Sequence, residues 1–499
     1  MLGLRADRRR PSQPTRLHDT CGRWHARRDP GRLWAAAMSG EILVIGAGPA
    51  GLAAARTAAG YGARVVLIDE NRQAGGQYYR HPTSEALRTV RGDLFDEAVR
   101  GADLLTAVDD TNVMHLSGAV FYGFFDDGVA AFVHDGRLIR ITPRATVVAA
   151  GATERPMPFP GWTLPGVMGA GAVQNLLKGQ RTLPGRRVLV TGNGPLTLLA
   201  AANLVRCGAE VVEVLEAAAN RPPFAMLPRL LLEPEMLLRG IGYRAILARH
   251  RVPFRARYTI VEARGSNRVE AAVVAPIAED GAPDLSRART LDIDTVIVGF
   301  GLVPASEATR SMGCAHGYEA GKGGWIPIRD ENLETSREGV FAAGECAGAA
   351  GVEKALLEGE LAGLAAAMRL GVAAGPRAEI HRDRLRRRLR RLMAFRVVIE
   401  AIYRLPASPL LARDDTVICR CEEVTLAEAR RWTAEGVIEA NSLKAITRMS
   451  MGRCQGRNCL STVAQLIAAE TGRDAAEVPL PRPRPPLKPV SVGALLADG

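Results

Sequence analysis

Short solid apolar runs alternate with small-residue helical stretches along this chain, and twice the same order of textures recurs. Glu41 to Ile45 (EILVI) is a β-branched apolar run suited to a buried parallel strand. A glycine turn follows, then Leu52 to Ala59, rich in Ala and Leu and therefore helical, then a second apolar run, Arg64 to Ile68. The segment from Arg187, VLVTGNGPLTLLAAANLVRCGAEVVEVLEA, repeats strand, glycine turn, helix and strand. Further buried strands are expected at Ala145 to Ala150, Asp294 to Gly301 and Thr335 to Glu345. Residues 90–142 read as short strands, with Asp127-Gly128 and Asp135-Gly136 as hairpin turns. Pro158, Pro160 and Pro165 mark a crossing between domains. From Ala378 to Tyr403 the pattern becomes a long basic helix. Leu385, Leu389, Leu392 and Phe395 form its apolar face, and arginines between Arg382 and Arg391 form the other.

The turns carry the first chemistry. Gly46, Gly48 and Gly51, with Pro49 and Ala50 between the last two, give G-x-G-x-x-G between strand and helix. The first glycine allows the tight turn, the second lets backbone approach a pyrophosphate, and the third lets helix pack on strand. The helix N-terminus adds unpaired N–H groups and about half a positive charge. Asp69 and Glu70 close the second strand, at the distance where an acid can bind a ribose hydroxyl. Gly75, Gly76 and Gln77 form a second loop able to pass close to a bound dinucleotide. In the later unit Gly192 and Gly194 are present, but Thr197 holds the third glycine position. Aligning the units by Gly62 and Gly208 pairs Glu216 with Glu70, which favours Glu70 as the ribose acid over Asp69. An acid at Glu216 opposes a 2′-phosphate, so NADP is disfavoured there. The second unit is then either an NAD-type site or a nucleotide fold kept for structure.

Charge changes the picture at one end. The net charge is +12, but residues 1–37 hold nine Arg against three Asp, half of that excess. The segment has no apolar core of a secretory signal, and the expectation is a disordered extension preceding a native start at Met38. No apolar run approaches the roughly 20 residues of a membrane span. A basic face without interleaved aromatics makes the long helix a solvated or subunit-facing arm rather than a nucleic-acid site. The eight histidines, His81 nearest the first glycine loops among them, sit in no catalytic motif, and no acid/base pair for substrate chemistry stands out.

Eight cysteines are too few and too unevenly spaced for a disulfide scaffold. Cys207 stands alone on an expected helix, Cys314 and Cys346 are unpaired in sequence, and no cysteine pair directly follows Gly75-Gly76. Cys419-x-Cys421 and Cys454-x4-Cys459 instead form a quartet within Thr416 to Gly472. A capping box at Thr425 and Glu428, a helix over Ser442 to Met449, and another from Leu460 to a stop at Gly472 would frame two cysteine loops converging on one metal centre. Thiolates suit zinc or an iron–sulfur cluster. The tight first pair, and fusion to a nucleotide-binding fold that needs an electron partner, favour [2Fe–2S].

The first glycine unit, the strand at Ala145 to Gly151 and the Gly344-Glu345 ending resemble the flavoprotein reductases with two dinucleotide-binding domains, whose last motif ends in Gly-Asp. TVICRCEEVT with MGRCQGRNC resembles the [2Fe–2S] domain of bacterioferritin-associated ferredoxin. Together with GATERPMPFPGWTLPGVMGAGAVQ, the likeness covers nearly everything after Met38. It extends to the A or α subunits of opine oxidases, the B subunit of hydrogen cyanide synthase, and the α subunits of hydroxyproline and sarcosine dehydrogenases. The resemblance implies an α/β fold: a Rossmann-like FAD domain (38–155 and 290–372) with a second Rossmann-like domain inserted (156–289). A basic arm and linker (373–412), a small helical [2Fe–2S] domain (413–475) and a Pro-rich tail (476–499) follow. It further implies FAD in the first unit, with Glu345 in place of the family's aspartate, a cluster on Cys419, Cys421, Cys454 and Cys459, and FMN at a subunit interface by analogy. The implied role is electron relay in a cytoplasmic complex that oxidises CH–NH or CH–NH2 donors. The substrate is handled by a β subunit resembling D-amino-acid oxidase, with room for a small third subunit. A self-contained NADH-dependent reductase and a non-enzymatic scaffold are the competing readings.

Overall fold

The first apolar runs assemble as the centre of a parallel sheet. In the computed structural model, which describes residues 41–80, 101, 103–105, 112–219, 221–222, 224–404 and 411–497, Ile42–Ile45 lies between Val65–Asp69 and Ala145–Val148. Val113–Ser117 and Val340–Ala342 complete five parallel strands. Parallel strands buried on both faces need solid apolar runs, and every residue of Ile42–Ile45, Val65–Asp69 and Ala145–Val148 is buried. The last strand is shorter than the Thr335 to Glu345 expected, because Thr335 turns back to bond Val340. The leader with Met38, Cys21, His18 and His25, together with His81, lies outside the described residues.

Helix Pro49–Gly60 covers one face and packs along helix Val352–Arg369 at very short range. A Cβ on Gly359 would stand 2.1 Å from the Ala50 carbonyl oxygen, and one on Gly363 would stand 2.2 Å from that of Ala54. Two glycines one turn apart thus let the helices meet backbone to backbone, which close packing rewards with dispersion contacts.

The second sheet is again parallel: Phe254–Ala256, Glu210–Glu216, Arg187–Gly192, Thr295–Gly299 and Val167–Gly169, in that order. Thr295–Gly299 therefore belongs to the second domain, and the return to the first comes after Gly299 rather than at residue 290. The strand leaves a parallel sheet incomplete unless it pairs, and its partner Arg187–Gly192 is otherwise open on that side. A two-stranded ribbon, Ala152–Glu154 against Leu302–Pro304, carries the chain out and back. The two Asp-Gly turns join Val120–Phe124, Ala130–His134 and Arg137–Ile141 into an antiparallel sheet, and Asp135 and Gly136 both adopt the positive φ such a turn demands.

The arm is a helix over Pro376–Ile402, 27 residues and about 40 Å long. Leu385, Leu392 and Phe395 are buried, as the periodicity predicts, and Leu389 is half-buried against the first core. Its far end turns toward the second domain. The cysteine domain then folds as helices Leu426–Ala434, Ala440–Thr447 and Leu460–Thr471 around its own core. The Thr425 hydroxyl accepts from Glu428 N–H at 3.3 Å, and Gly472 ends the last helix at φ +68°.

Candidate functional site

The first glycine turn is shaped by contacts that leave no room for side chains. Gly46 has φ +102°, and a Cβ there would lie 2.5 Å from the Ala149 carbonyl oxygen. A Cβ on Gly51 would overlap the Gly46 carbonyl oxygen at 1.7 Å. Both glycines are demanded by the fold itself. Gly48 differs: its Cβ would meet nothing nearer than Gly76 Cα at 3.9 Å. Gly76, at φ +61°, faces it so closely that a Cβ on Gly76 would stand 2.9 Å from Gly48 Cα. Gly75 N–H donates to the Ala47 carbonyl at 2.8 Å and ties the second loop to the first. The start of helix Pro49–Gly60 has no side-chain cap. An open backbone groove therefore ends at a bare helix N-terminus, a place built for a diphosphate. Gly48, Pro49, Ala50, Gly76, Gln77 and Glu345 all line one continuous cavity of about 1720 Å³.

Asp69 and Glu70 part company here. Asp69 is buried, and its carboxylate accepts from Ala47 N–H at 2.6 Å, Asn71 N–H at 2.7 Å and Asn71 Nδ2 at 2.9 Å. It braces the turn. Glu70 faces the cavity and pairs with Lys488, far along the chain.

Behind Gly344 lies a buried charge network. Glu358 accepts from Gly344 N–H at 2.8 Å, and pairs with Lys354 at 2.9 Å and Arg329 at 3.1 Å. Burial alone would push this carboxyl up, but Arg329 and Lys354 hold it below its ordinary range. Glu345 turns outward, accepting from Ala350 N–H at 3.1 Å and Gly351 N–H at 2.7 Å at the cavity wall.

The second glycine turn is as open at Gly194 as the first is at Gly48, since a Cβ there would meet nothing within 4 Å. A β-bulge between Val211 and Glu213 adds one residue to the outer strand, so Gly192 lies opposite Glu216. In the first unit Ile45 lies opposite Ile68, which puts Gly46 level with Asp69. Glu216 is thus the counterpart of Asp69, not of Glu70, and the alignment through Gly62 and Gly208 is off by the bulged residue. The bonding agrees: Glu216 accepts from Gly194 N–H at 3.1 Å and Ala218 N–H at 3.0 Å. Burial pushes its carboxyl up to about 7. Thr197 fills the third-glycine position and donates to the Gly194 carbonyl at 2.6 Å. Asn193, between the glycines, is the turn residue that reaches the cavity, and its Nδ2 donates to the Tyr403 carbonyl at 2.7 Å. The end of the arm therefore sits on the second turn. Burial, with Glu216 nearby, pushes the Tyr403 phenol up to about 12.

The four domain cysteines interact as two pairs, Cys419 with Cys459 and Cys421 with Cys454. The interaction within the first pair holds Cys419 down at about 5 and raises Cys459. Ser450 Oγ lies 3.2 Å from Cys459 Sγ. A Cβ on Gly452 would stand 2.3 Å from Cys421 Cβ. Glu423, Arg448, Ser450 and Gln455 all have positive φ although none is glycine, so the loops holding the thiols are strained. Among the described residues no group of three or more His, Cys, Asp or Glu is arranged around a single ion. Four thiols drawn from two loops are the donor set that a four-thiolate [2Fe–2S] cluster would take.

The other described cysteines stand apart. Cys346 is fully buried, its Sγ donating to the Val148 and Ala343 carbonyls at 3.3 Å. Cys314 lies against Thr335, and burial raises both thiols. Half-buried Cys207 ends helix Pro195–Arg206, and burial pushes it up to about 11.

Several cavity residues carried no sequence signal. Lys178 sits in a π-helical turn, Leu176–Gln180, with Nζ donating to the Tyr78 carbonyl at 3.2 Å and lying 5.0 Å from the Tyr78 ring centre. Such turns concentrate at functional sites. Glu154, raised by burial, caps helix Ala170–Asn175 through Gly171 N–H at 2.7 Å and Ala172 N–H at 3.2 Å. Neither follows from periodicity, because Glu154 depends on how the crossing ribbon aims its side chain and Lys178 on how its turn meets the Tyr78 loop.

Known proteins share this arrangement. Residues 40–371 match the pyridine nucleotide-disulphide oxidoreductase family, and residues 414–499 match the sarcosine oxidase A3 domain. The A subunit of opine oxidase from Agrobacterium tumefaciens (strain Ach5) is 34% identical over 473 residues, covering 91% of each chain. The HcnB subunit of hydrogen cyanide synthase from Pseudomonas protegens is 32% identical, over 92% of this chain and 97% of its own. The crystal structure of L-proline dehydrogenase from P. horikoshii superposes over 91% of this chain and 79% of its own, with TM-score 0.65 and 22% identity, a likeness of fold. The chain belongs to the pyridine nucleotide-disulphide oxidoreductase family, in the branch that holds the opine oxidase A subunits and the HcnB subunits of hydrogen cyanide synthase.

Proposed function

We propose that this chain is the electron-relay subunit of a cytoplasmic multi-subunit dehydrogenase acting on the C–N bond of an amine or amino acid. The observation that carries the reading is one chain presenting both an open diphosphate-type groove at Gly48 and Gly76 and two converging thiol pairs. FAD would lie along the first groove and a [2Fe–2S] cluster on Cys419, Cys421, Cys454 and Cys459. The flavin exchanges electrons in pairs or singly and the cluster one at a time, which is the chemistry such a relay needs. The chain's own part is positional. Gly48 and Gly76 keep side chains out of the diphosphate path, Asp69 fixes the turn, and Glu70 and Glu345 offer carboxylates along the cavity. Relatives named as subunits support a partner, in our reading a β subunit of the D-amino-acid-oxidase type that meets the substrate, with FMN between the two.

A self-contained NADH-dependent reductase would need the second turn. There the arm's Tyr403 carbonyl holds the Asn193 amide. The experiment is anaerobic purification of the chain, with flavin and iron assayed per mole and the spectrum followed as NADH is added. Bound flavin, two irons and no bleaching by NADH are expected. Rapid bleaching without a partner would overturn the relay reading. In Cys419→Ser the iron-dependent absorbance should vanish while flavin stays, and retained absorbance would refute the ligand set.

A further inference from the structure

The segment after the cysteine domain runs back to the first glycine unit. Leu487 is buried in the core that contains Leu43, Ile45 and Ile68, and its N–H donates to the Tyr122 carbonyl at 2.9 Å. A Cβ on Gly123 would stand 2.5 Å from Pro485 Cγ, so strand Val120–Phe124 receives the segment only because that residue is glycine. Helix Val492–Leu496 continues along strand Arg137–Ile141. At the centre of this strap Lys488 pairs with Glu70, and both line the cavity.

The strap's other edge is the second cysteine loop. Arg457, between Cys454 and Cys459, donates to the Leu487 carbonyl at 3.0 Å and the Cys454 carbonyl at 3.3 Å, and pairs with Glu307 of the first domain at 3.1 Å. Gln455 Nε2 donates to the Pro486 carbonyl at 3.2 Å. One short piece of chain is therefore bonded on one side to the loop holding two thiols and on the other to the carboxylate best placed for an adenosine ribose.

We infer that residues 485–488 are a strap that couples the two cofactor sites: Lys488 positions Glu70 for the adenosine end of FAD, and an occupied FAD site steadies the Cys454–Cys459 loop. The inference rests on the FAD and cluster reading above. A site whose ordering is shared between two ligands gives each a tighter grip when the other is bound, and the gain is reciprocal.

The experiment uses the full chain with wild type, Leu487→Asp, Lys488→Ala and Lys488→Arg. FAD affinity is read from the recovery of flavin fluorescence on dilution. Loop stability is read from the rate of iron release to a chelator, with FAD bound and after FAD removal. Near-ultraviolet circular dichroism confirms that each variant folds. Lys488→Ala should weaken FAD about two- to five-fold, the range of an exposed ion pair, with the difference lost at high salt. Lys488→Arg should restore it. Leu487→Asp should weaken FAD at least ten-fold. In wild type, iron should leave at least three-fold faster once FAD is removed, and Leu487→Asp should erase that difference. Equal FAD affinity in wild type, Leu487→Asp and Lys488→Ala, or iron release indifferent to FAD, overturns the strap. Wild-type protein that binds no FAD at all would instead overturn the cofactor reading beneath it.

Discussion

Glu216 offers a sharp test of the second domain, because its carboxyl is buried beneath a turn and pushed up to about 7 from an ordinary 4.5. The folded protein therefore holds a proton there that the unfolded chain has released between those two pH values. Stability from this group is fully present below about pH 4.5 and is lost as pH rises through about 7. A gap of about 2.5 units corresponds to about 3 kcal/mol between the limits. Glu216→Gln removes the titration but replaces one accepting oxygen with a donor, facing either Gly194 N–H or Ala218 N–H, at a cost of about 1–3 kcal/mol. The two effects oppose each other. The variant should be less stable than wild type at pH 5, and the difference should shrink or reverse by pH 8. The Tyr403 phenol, which burial and Glu216 hold up near 12, stays protonated in both proteins from pH 5 to pH 8. Hydrogen exchange at the amides of Leu189, Val190 and Thr191 reads the opening of this sheet without averaging over the other domains. A stability difference that stays constant from pH 5 to pH 8 would refute the argument.

Two of the glycine positions of the first unit should separate experimentally. Gly48→Val should yield folded but flavin-free protein, since its side chain enters only the groove, and a yellow variant with wild-type flavin content would refute the assignment. Gly51→Ala should instead destabilise the domain by roughly 1–3 kcal/mol or more, because its Cβ overlaps a backbone carbonyl; a urea midpoint within error of wild type would contradict the packing. Lys354→Met should cost about 3–5 kcal/mol by leaving Glu358 short of one cation in a buried network, seen as faster limited proteolysis of the first domain. Leu392→Ala on the arm should cost about 2–5 kcal/mol and free the arm before either sheet opens, and cleavage near the arm at the wild-type rate would count against it.

Much of this was legible in the chain because the strongest patterns are local. A parallel strand buried on both faces must be a solid apolar run, so Ile42–Ile45, Val65–Asp69 and Ala145–Val148 announce themselves. The arm's spacing of four, three and three fixed its buried face, and Thr425 with Glu428 fixed the start of a helix. What was hidden depends on pairing between distant segments. Thr295–Gly299 has the same apolar centre as strands of either sheet, and nothing in its composition says which sheet it joins. The bulge at Val212 is one residue in seven, yet it moves the acid's counterpart from Glu70 to Asp69. Lys178, Arg457 and Lys488 are single charged residues whose roles exist only once remote backbone surrounds them.

The two glycine units show how one local design is steered to different ends by segments that lie outside it. Each has an acid spent on its own backbone, Asp69 on Ala47 and Glu216 on Gly194, so neither acid by itself marks a ligand. The difference lies in what is laid over the turn. Over the first comes the loop of Gly75 and Gly76, backbone facing backbone, which keeps the diphosphate path clear. Over the second comes the end of the arm, whose Tyr403 carbonyl takes the Asn193 amide, while Thr197 occupies the position where a third glycine would let the helix move closer. The same arm packs its Leu385 and Leu392 into the core of the first domain. A ligand reaching Asn193 would compete with the Tyr403 carbonyl for its amide. The arm is thus an element shared by the second turn, through Asn193, and the core of the first domain.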